Sequence, residues 1–487
     1  MTLLQNKQQI LPLKSLDTLK IASVSIGDEE QNEFSKSLQK YFPVQHLGIS
    51  HKAEQAKIDT LLKNISAYNL IIVQINKTGI KPDNNFGFSQ SSDSLLQQIL
   101  KTKKTILAVF SNPYLLGKIK NLENAEAVLE AFEYNSYSQK AAAEAITGAI
   151  TVNGKLPVSS GNFKRGTGID LNQRIRIQYI SPSETGIEKK KLEQIDSIAL
   201  KGIRDKCYPG CRILAIKNGK VFYDKSFGYL TYDKSEAVTN ETVYDLASVT
   251  KISASALALM QLRDRKILDV TKNVADYLPE TKNSNKGNLV LSDVLTHQSG
   301  LEAWIPFYKI GTDNKGQPKP DFFSPNEDLR YSLRVADGVW TLPVFKDSIF
   351  QQILSSKLKE KGKYVYSDLG YYFHQRIIEK NYNMPMNELL ENNFYKKLGL
   401  QTMMYNPSGK IQKARIAPTE NNRDFRKQLL RGDVHDPGAA LMGGVAGHAG
   451  LFSNANDLAV VMQMLMNGGT YGGERFLGRS EEHTSEL

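Results

Sequence analysis

Two cysteines and two tryptophans in 487 residues leave this sequence without the material for a disulfide framework or a thiolate metal site. Cys207 and Cys211 flank Tyr208-Pro209-Gly210 with no histidine or further cysteine nearby, and they read as two ordinary buried thiols. No apolar run reaches the roughly 20 residues that a membrane-spanning helix needs. The start, Met1-Thr2-Leu3-Leu4-Gln5-Asn6-Lys7, lacks the basic and apolar regions of a secretory signal. The formal net charge is +11, yet the basic residues are scattered, with dense runs only at Lys101 to Lys104 and Lys189 to Lys191. Neither run is interleaved with aromatics, which argues against a nucleic-acid partner and for solvated faces. What remains is a chain of globular composition, 40% hydrophobic, long enough for several domains.

The first region alternates short apolar runs with amphipathic stretches. Ile21 to Ile26, Leu70 to Ile75 and Thr105 to Phe110 read as strands, and Glu29 to Tyr41, Ser94 to Lys101 and Ser138 to Ile150 as helices. That alternation predicts an α/β layer on a mostly parallel sheet. Ser159 to Asn172 is rich in Gly, Ser and Asn, like the exit of a domain. Lys189 to Ile203 then forms an amphipathic helix, and Asn218-Gly219 between Arg212 to Lys217 and Lys220 to Phe227 signals a hairpin. Residues 302–363 have weak periodicity and read as an insertion around a site.

Ser248-Val249-Thr250-Lys251 carries the chemistry. A serine hydroxyl is a weak nucleophile at neutral pH, and a lysine one turn away on the same helix face can take its proton. The pattern alone is weak, because Ser37-Leu38-Gln39-Lys40 satisfies it too. A second run, Tyr366-Ser367-Asp368-Leu369-Gly370, offers a phenol that could shuttle a proton beside a lysine ammonium.

With Tyr208-Pro209-Gly210, Leu295-Thr296-His297-Gln298-Ser299-Gly300-Leu301 and Gly443-Gly444-Val445-Ala446-Gly447-His448-Ala449-Gly450-Leu451-Phe452-Ser453, these runs fall in an order that resembles the serine β-lactamase, D-alanyl-D-alanine carboxypeptidase and class C-like esterase family. The resemblance implies that Ser248 is acylated, that Lys251 activates it and that Tyr366 assists proton transfer, with the Ser248 N–H in an oxyanion hole. Asp368 stands where β-lactamases carry an asparagine facing the substrate, which makes β-lactam turnover less expected. His448, among glycines, is a candidate substrate contact. His297 belongs to a loop that is structural in such enzymes, and Asp433-Val434-His435-Asp436 reads as a loop whose carboxylates cap backbone amides. Serine acyl transfer needs no metal, and no cofactor is expected.

Leu3-Leu4-Gln5-Asn6 with Leu11-Pro12-Leu13, Ser111-Asn112-Pro113-Tyr114, Ala141 to Ile150 and Gly154-Lys155-Leu156-Pro157-Val158 resemble the C-terminal α/β domain of family-3 glycoside hydrolases, in the branch of β-N-acetylglucosaminidases. In that branch both catalytic groups belong to a preceding barrel, so no glycosidase residue carries over. The expected architecture is α/β plus α+β. A family-3-like α/β sandwich occupies 1–168, a linker 169–188, and an incomplete β-lactamase/transpeptidase-like domain, antiparallel sheet with helical region, 189–478.

Residues 479–487, Arg479 to Leu487, read as a translated sequencing-library adapter, so the natural protein is expected to continue past Gly478. The third motif of such hydrolases, Lys-Thr-Gly or His-x-Gly, has no match after Leu451. The chain as written is expected to fold poorly and to be inactive. The expected whole is a bifunctional cell-wall hydrolase, periplasmic or outer-membrane-associated, with a small-molecule, peptide or glycan substrate. Two alternatives are a non-catalytic muropeptide- or glycan-binding module, and a parent whose activity is that of a β-N-acetylhexosaminidase.

Overall fold

Ile21–Ile26 and Leu70–Ile75 are buried at every position, the pattern of strands covered on both faces. In the computed structural model, which describes residues 1–478, they are β2 and β4 of a six-stranded sheet. The others are β1 (Thr2–Asn6), β3 (Val44–Ile49), β5 (Lys104–Val109) and β6 (Ala127–Glu130), in the order β1-β6-β5-β4-β2-β3. All pairs are parallel except β1 with β6. The adapter-like segment 479–487 lies outside the described residues.

Side-chain alternation divides the sheet between two cores. Ala22, Val24, Ile71 and Val73 pack with Ile58 and Leu61 of α2 (Gln55–Ile65) and Leu95 to Ile99 of α3 (Gln90–Thr102). Ile21, Leu70 and Ile72 pack with Phe34 and Leu38 of α1 (Glu33–Gln39) and with Ala142 and Ile146 of α4 (Ser136–Thr147). The second of these cores does not stop at the edge of the sheet. It runs on through Leu16 and Phe42 into Leu398, Phe452 and Met464, so the N- and C-terminal parts share one apolar interior.

Residues 169–188 take part in that interior. Arg176 is buried, and Gln178–Tyr179 forms β7, parallel to β9 (Lys220–Gly228), which pairs antiparallel with β8 (Gly210–Lys217). The β8–β9 turn is Asn218-Gly219 with φ of 53° and 70°, both left-handed as a two-residue hairpin turn requires. The helix α5 (Lys189–Arg204) lies in the chain between β7 and β8. Cys207 is exposed and Cys211 half-buried, which corrects the expectation of two buried thiols.

The site rests on a smaller sheet. β10 (Tyr244–Asp245) pairs with the strand Leu451–Ser453, which pairs on its other side with Met404–Tyr405. The Leu246 N–H donates to the Leu451 carbonyl at 2.9 Å, so the turn that bears Ser248 lies against the end of the glycine-rich loop. Residues 302–363 are ordered around a three-stranded sheet, Phe323–Ser324, Leu333–Ala336 and Val339–Thr341, and the helix Phe345–Ser355.

Candidate active site

The chain leaves β10 through a tight turn. The Asp245 carboxylate accepts the Ala247 N–H at 2.9 Å, and Ala247 has φ of 44°, a left-handed conformation that costs a non-glycine residue of order 1 kcal/mol. Ser248 follows in a 3₁₀ turn, Ala247–Val249, which widens through a π-type turn, Lys251–Ser255, into α6 (Ala256–Asp264). The hydroxyl is therefore presented at a helix start while Lys251, one turn in, is only 4% exposed.

Three groups surround the Lys251 ammonium. Ser248 Oγ is 2.8 Å from Nζ, Asp368 Oδ1 is 2.7 Å away, and the His448 carbonyl oxygen is 3.3 Å away. The faces of the Tyr366 and Tyr371 rings complete the shell, with centroids 4.9 and 5.2 Å from Nζ. Burial pushes the Tyr371 hydroxyl up to about 12, with the Tyr366 ring adding to it. The competing run fails this geometric test. Ser37 Oγ bonds Glu33 and the Lys40 amine sits over the Tyr179 ring, so the two side chains have separate partners.

The other expected residues take the following positions around the lysine. Tyr366 meets the lysine with its ring face, and its side chain is 44% exposed at the mouth of the site. Asp368, expected to face substrate, is the ion-pair partner of Lys251. The ring of His448 turns away from Ser248. It is 3% exposed, donates its Nε2–H to Asp436 Oδ1 at 2.9 Å, and leans on the Tyr372 ring, so only its carbonyl enters the site. Asp433 pairs with Arg334 and accepts the Asp337 N–H, while Asp436 caps the helix Pro437–Leu441. Among the described residues no group of His, Cys, Asp or Glu is arranged to hold a metal ion.

His297 supports the tyrosine motif. Its Nδ1 accepts the Ser367 N–H at 3.0 Å, its carbonyl accepts the Val365 N–H, and its ring lies 4.6 Å from that of Tyr366. Burial and the nearby Lys251 charge lower its pKa, which favours the neutral ring that can accept that bond. Sequence reasoning missed the anchors of the glycine loop. Ser255 Oγ donates to the Gly447 carbonyl, Gln375 to the Val445 carbonyl, and the Leu451 N–H to Thr250 Oγ1. Their only signal is small polar residues on otherwise apolar helix faces.

Below the tyrosines lies His374, 1% exposed, with neither ring nitrogen bonded and the ring edge-on to Tyr371. Burial, then the proximity of His297, lowers its pKa from 6.5 to about 3. Between those values the unfolded chain binds the proton that the folded one refuses, so stability rises with pH. It is fully present above about 6.5 and drains away below it, by up to about 1.4 kcal/mol per pH unit. His374→Leu should flatten the urea-unfolding free energy between pH 7 and pH 5 relative to the wild type. Parallel pH dependences would refute this.

Comparisons with known proteins match two families to overlapping parts of the chain. A family described as Beta-lactamase matches residues 195–484, and the Glycosyl hydrolase family 3 C-terminal domain matches residues 1–203. A protein of Salmonella agona (strain SL483) named as a D-alanyl-D-alanine carboxypeptidase is 34% identical over 317 residues, covering 60% of this chain and 68% of that one. Among solved structures, the octameric penicillin-binding protein homologue from Pyrococcus abyssi aligns with TM-score 0.44 and 20% identity, over 59% of this chain and 58% of that one. A class C β-lactamase from Rhodobacter sphaeroides aligns with TM-score 0.40 and 20% identity, over 56% of this chain and 66% of that one.

Proposed function

The chain belongs to the Beta-lactamase family, and from that premise we propose that its C-terminal part is a serine acyl-transfer hydrolase with Ser248 as nucleophile, Lys251 as its base and Tyr366 as proton shuttle. The observation that carries this reading is the 2.8 Å approach of a nearly buried lysine amine to an exposed serine hydroxyl. Ser248 Oγ attacks the carbonyl carbon as its proton passes to Nζ, and the oxyanion forms against the Ser248 N–H. Tyr366 gives its proton to the leaving group and takes one back from the Lys251 ammonium, and water then releases the acyl group by the reverse route.

For substrate class, the name of the curated relatives, D-alanyl-D-alanine carboxypeptidase, supports a D-alanyl-D-alanine peptide. The N-terminal part acts as the accessory domain of a glycosidase and contributes no carboxylate to this chemistry. Acylation requires only groups already in place, whereas turnover was expected to need a third motif. Covalent labelling is therefore the decisive readout. A fluorescent fluorophosphonate or penicillin should label the protein, and Ser248→Ala should abolish the label. Unchanged labelling of that variant would refute the assignment.

Asp368 bears on the outcome with β-lactams. A carboxylate can only accept hydrogen bonds and repels the carboxylate of a penicillin, while an amide of the same shape can donate. Asp368→Asn should raise the rate of penicillin labelling by about 10-fold, one hydrogen bond's worth. A lower or equal rate would count against this role. The pairing of Asp368 with Lys251 also favours a second reading, a non-catalytic muropeptide-binding module. Binding of a muropeptide with no acyl mass shift on any probe would favour that one.

A further inference from the structure

To act as base Lys251 must reach the serine as a neutral amine, which has two N–H bonds and one lone pair, and it has three polar neighbours. Two of them, the Asp368 carboxylate and the His448 carbonyl, can only accept a hydrogen bond. Ser248 is the one neighbour with a proton to give. The His448 carbonyl takes one N–H in hydrogen-bond geometry, while Asp368 Oδ1 makes an ion-pair contact at 2.7 Å outside that geometry, so the direction of the amine toward the serine hydroxyl rests on the carbonyl. The position of the His448 carbonyl is thus consequential for proton transfer.

Ser255, Gln375 and Thr250 anchor the loop at Gly447, Val445 and Leu451, and between those anchors the His448 residue is held by its own side chain. Gly443, Gly444 and Gly450 all have left-handed φ, at 81°, 80° and 107°, and the residues between are small or apolar except for one imidazole. That imidazole is buried, bonded to Asp436 Oδ1 at 2.9 Å, and tilted against Tyr372 with centroids 4.9 Å apart. Tyr372 belongs to the helix Leu369–Tyr382, which starts immediately after Asp368. Asp436 is itself fixed, because the same oxygen accepts the Ala439 N–H at 2.7 Å. The neighbouring His435 N–H donates to Asp245 Oδ2 at 2.8 Å, and the other oxygen of Asp245 holds the Ala247 N–H. One short segment therefore references both the turn that presents Ser248 and the carbonyl that orients its base.

We propose that the pair formed by buried His448 and half-buried Asp436 is the positioning device for Lys251, holding the His448 carbonyl so that the amine's lone pair points at Ser248. The role rests on the acyl-transfer reading above. Burial would raise the Asp436 carboxyl, but the His448 ring and the Ala439 N–H hold it down at about 2, so the pair keeps its anion across the working range. His448 and Asp436 are positioning residues, because neither side chain approaches Ser248.

His448→Phe keeps the ring contact with Tyr372 and loses the bond to Asp436, while His448→Gln can present an amide N–H near the position of Nε2. With a fluorescent fluorophosphonate, His448→Phe should lower the maximal labelling rate about 100-fold, the cost of an ångström-scale misplacement, with the half-saturating probe concentration unchanged. His448→Gln should recover most of that loss. Should His448→Phe fail to fold, Asp436→Asn retains the helix cap and should label about 10-fold more slowly than wild type. A folded His448→Phe variant that labels at the wild-type rate overturns the proposal, and so does a His448→Gln variant as slow as His448→Phe. Failure of the wild type itself to label at Ser248 sinks the acyl-transfer reading instead. In that event a crystal structure of His448→Phe decides the pair's role, since a residue-448 carbonyl still 3.3 Å from Nζ overturns it.

Discussion

Replacing Lys251 with arginine or methionine should lower the rate of Ser248 acylation by about 10³–10⁴-fold while leaving the probe's half-saturating concentration unchanged. Arginine is the sharper of the two substitutions. It keeps a cation for Asp368, now 2.7 Å from the lysine amine, but a guanidinium does not deprotonate in a protein and cannot act as base. Methionine retains much of the stem volume between the Tyr366 and Tyr371 rings and leaves the Asp368 carboxylate without its cation. Adding Asp368→Asn to Lys251→Met should restore thermal stability and leave the rate low. The measurement is a time course of fluorophosphonate labelling beside a melting curve for each variant. Arginine labelling within tenfold of wild type would mean that another group takes the serine proton.

Arg176→Ala should destabilise the protein by about 3–5 kcal/mol, measured by urea unfolding at neutral pH. Arg176 is 5% exposed, and its Nη1 donates to the carbonyls of Leu13 and Thr147, both at 2.6 Å. Its guanidinium also lies against the Gly472 turn, where a Cβ would come within 2.9 Å of Nη2. Next to it the Ile177 N–H donates to the Tyr471 hydroxyl. Burial without a bonded carboxylate lowers the guanidinium's pKa, a sign of how much hydration the folded state has removed. Truncation strands two carbonyls at the junction of the N-terminal sheet, β7 and the end of the described chain. Arg176→Lys, which can still reach one carbonyl, should cost roughly half as much. A loss below about 1 kcal/mol for the alanine variant would show that water replaces the guanidinium at no penalty.

The central strands were legible because their apolar runs are continuous, and a strand buried on both faces has no other explanation at that length. Val44–Ile49 was missed because His46 and Gly48 interrupt it, as an edge strand tolerates. Thr2–Asn6 is short and pairs antiparallel, so no crossover helix announces it. The β8–β9 hairpin was readable from two residues because few residues other than Asn and Gly adopt left-handed φ without strain.

By itself the sequence determined the mostly parallel first sheet, the hairpin, and the single helix face shared by Ser248 and Lys251, since all of these follow from the period of side chains along one element. Only the tertiary structure decided what the lysine amine touches. Asp368 and the His448 carbonyl reach it from distant segments, His448 from 197 residues away, across a loop of glycines whose direction no local period encodes. The same spacing at Ser37 and Lys40 finds other partners, because hydrogen bonds are assigned by packing between elements and a four-residue pattern contains none of that information.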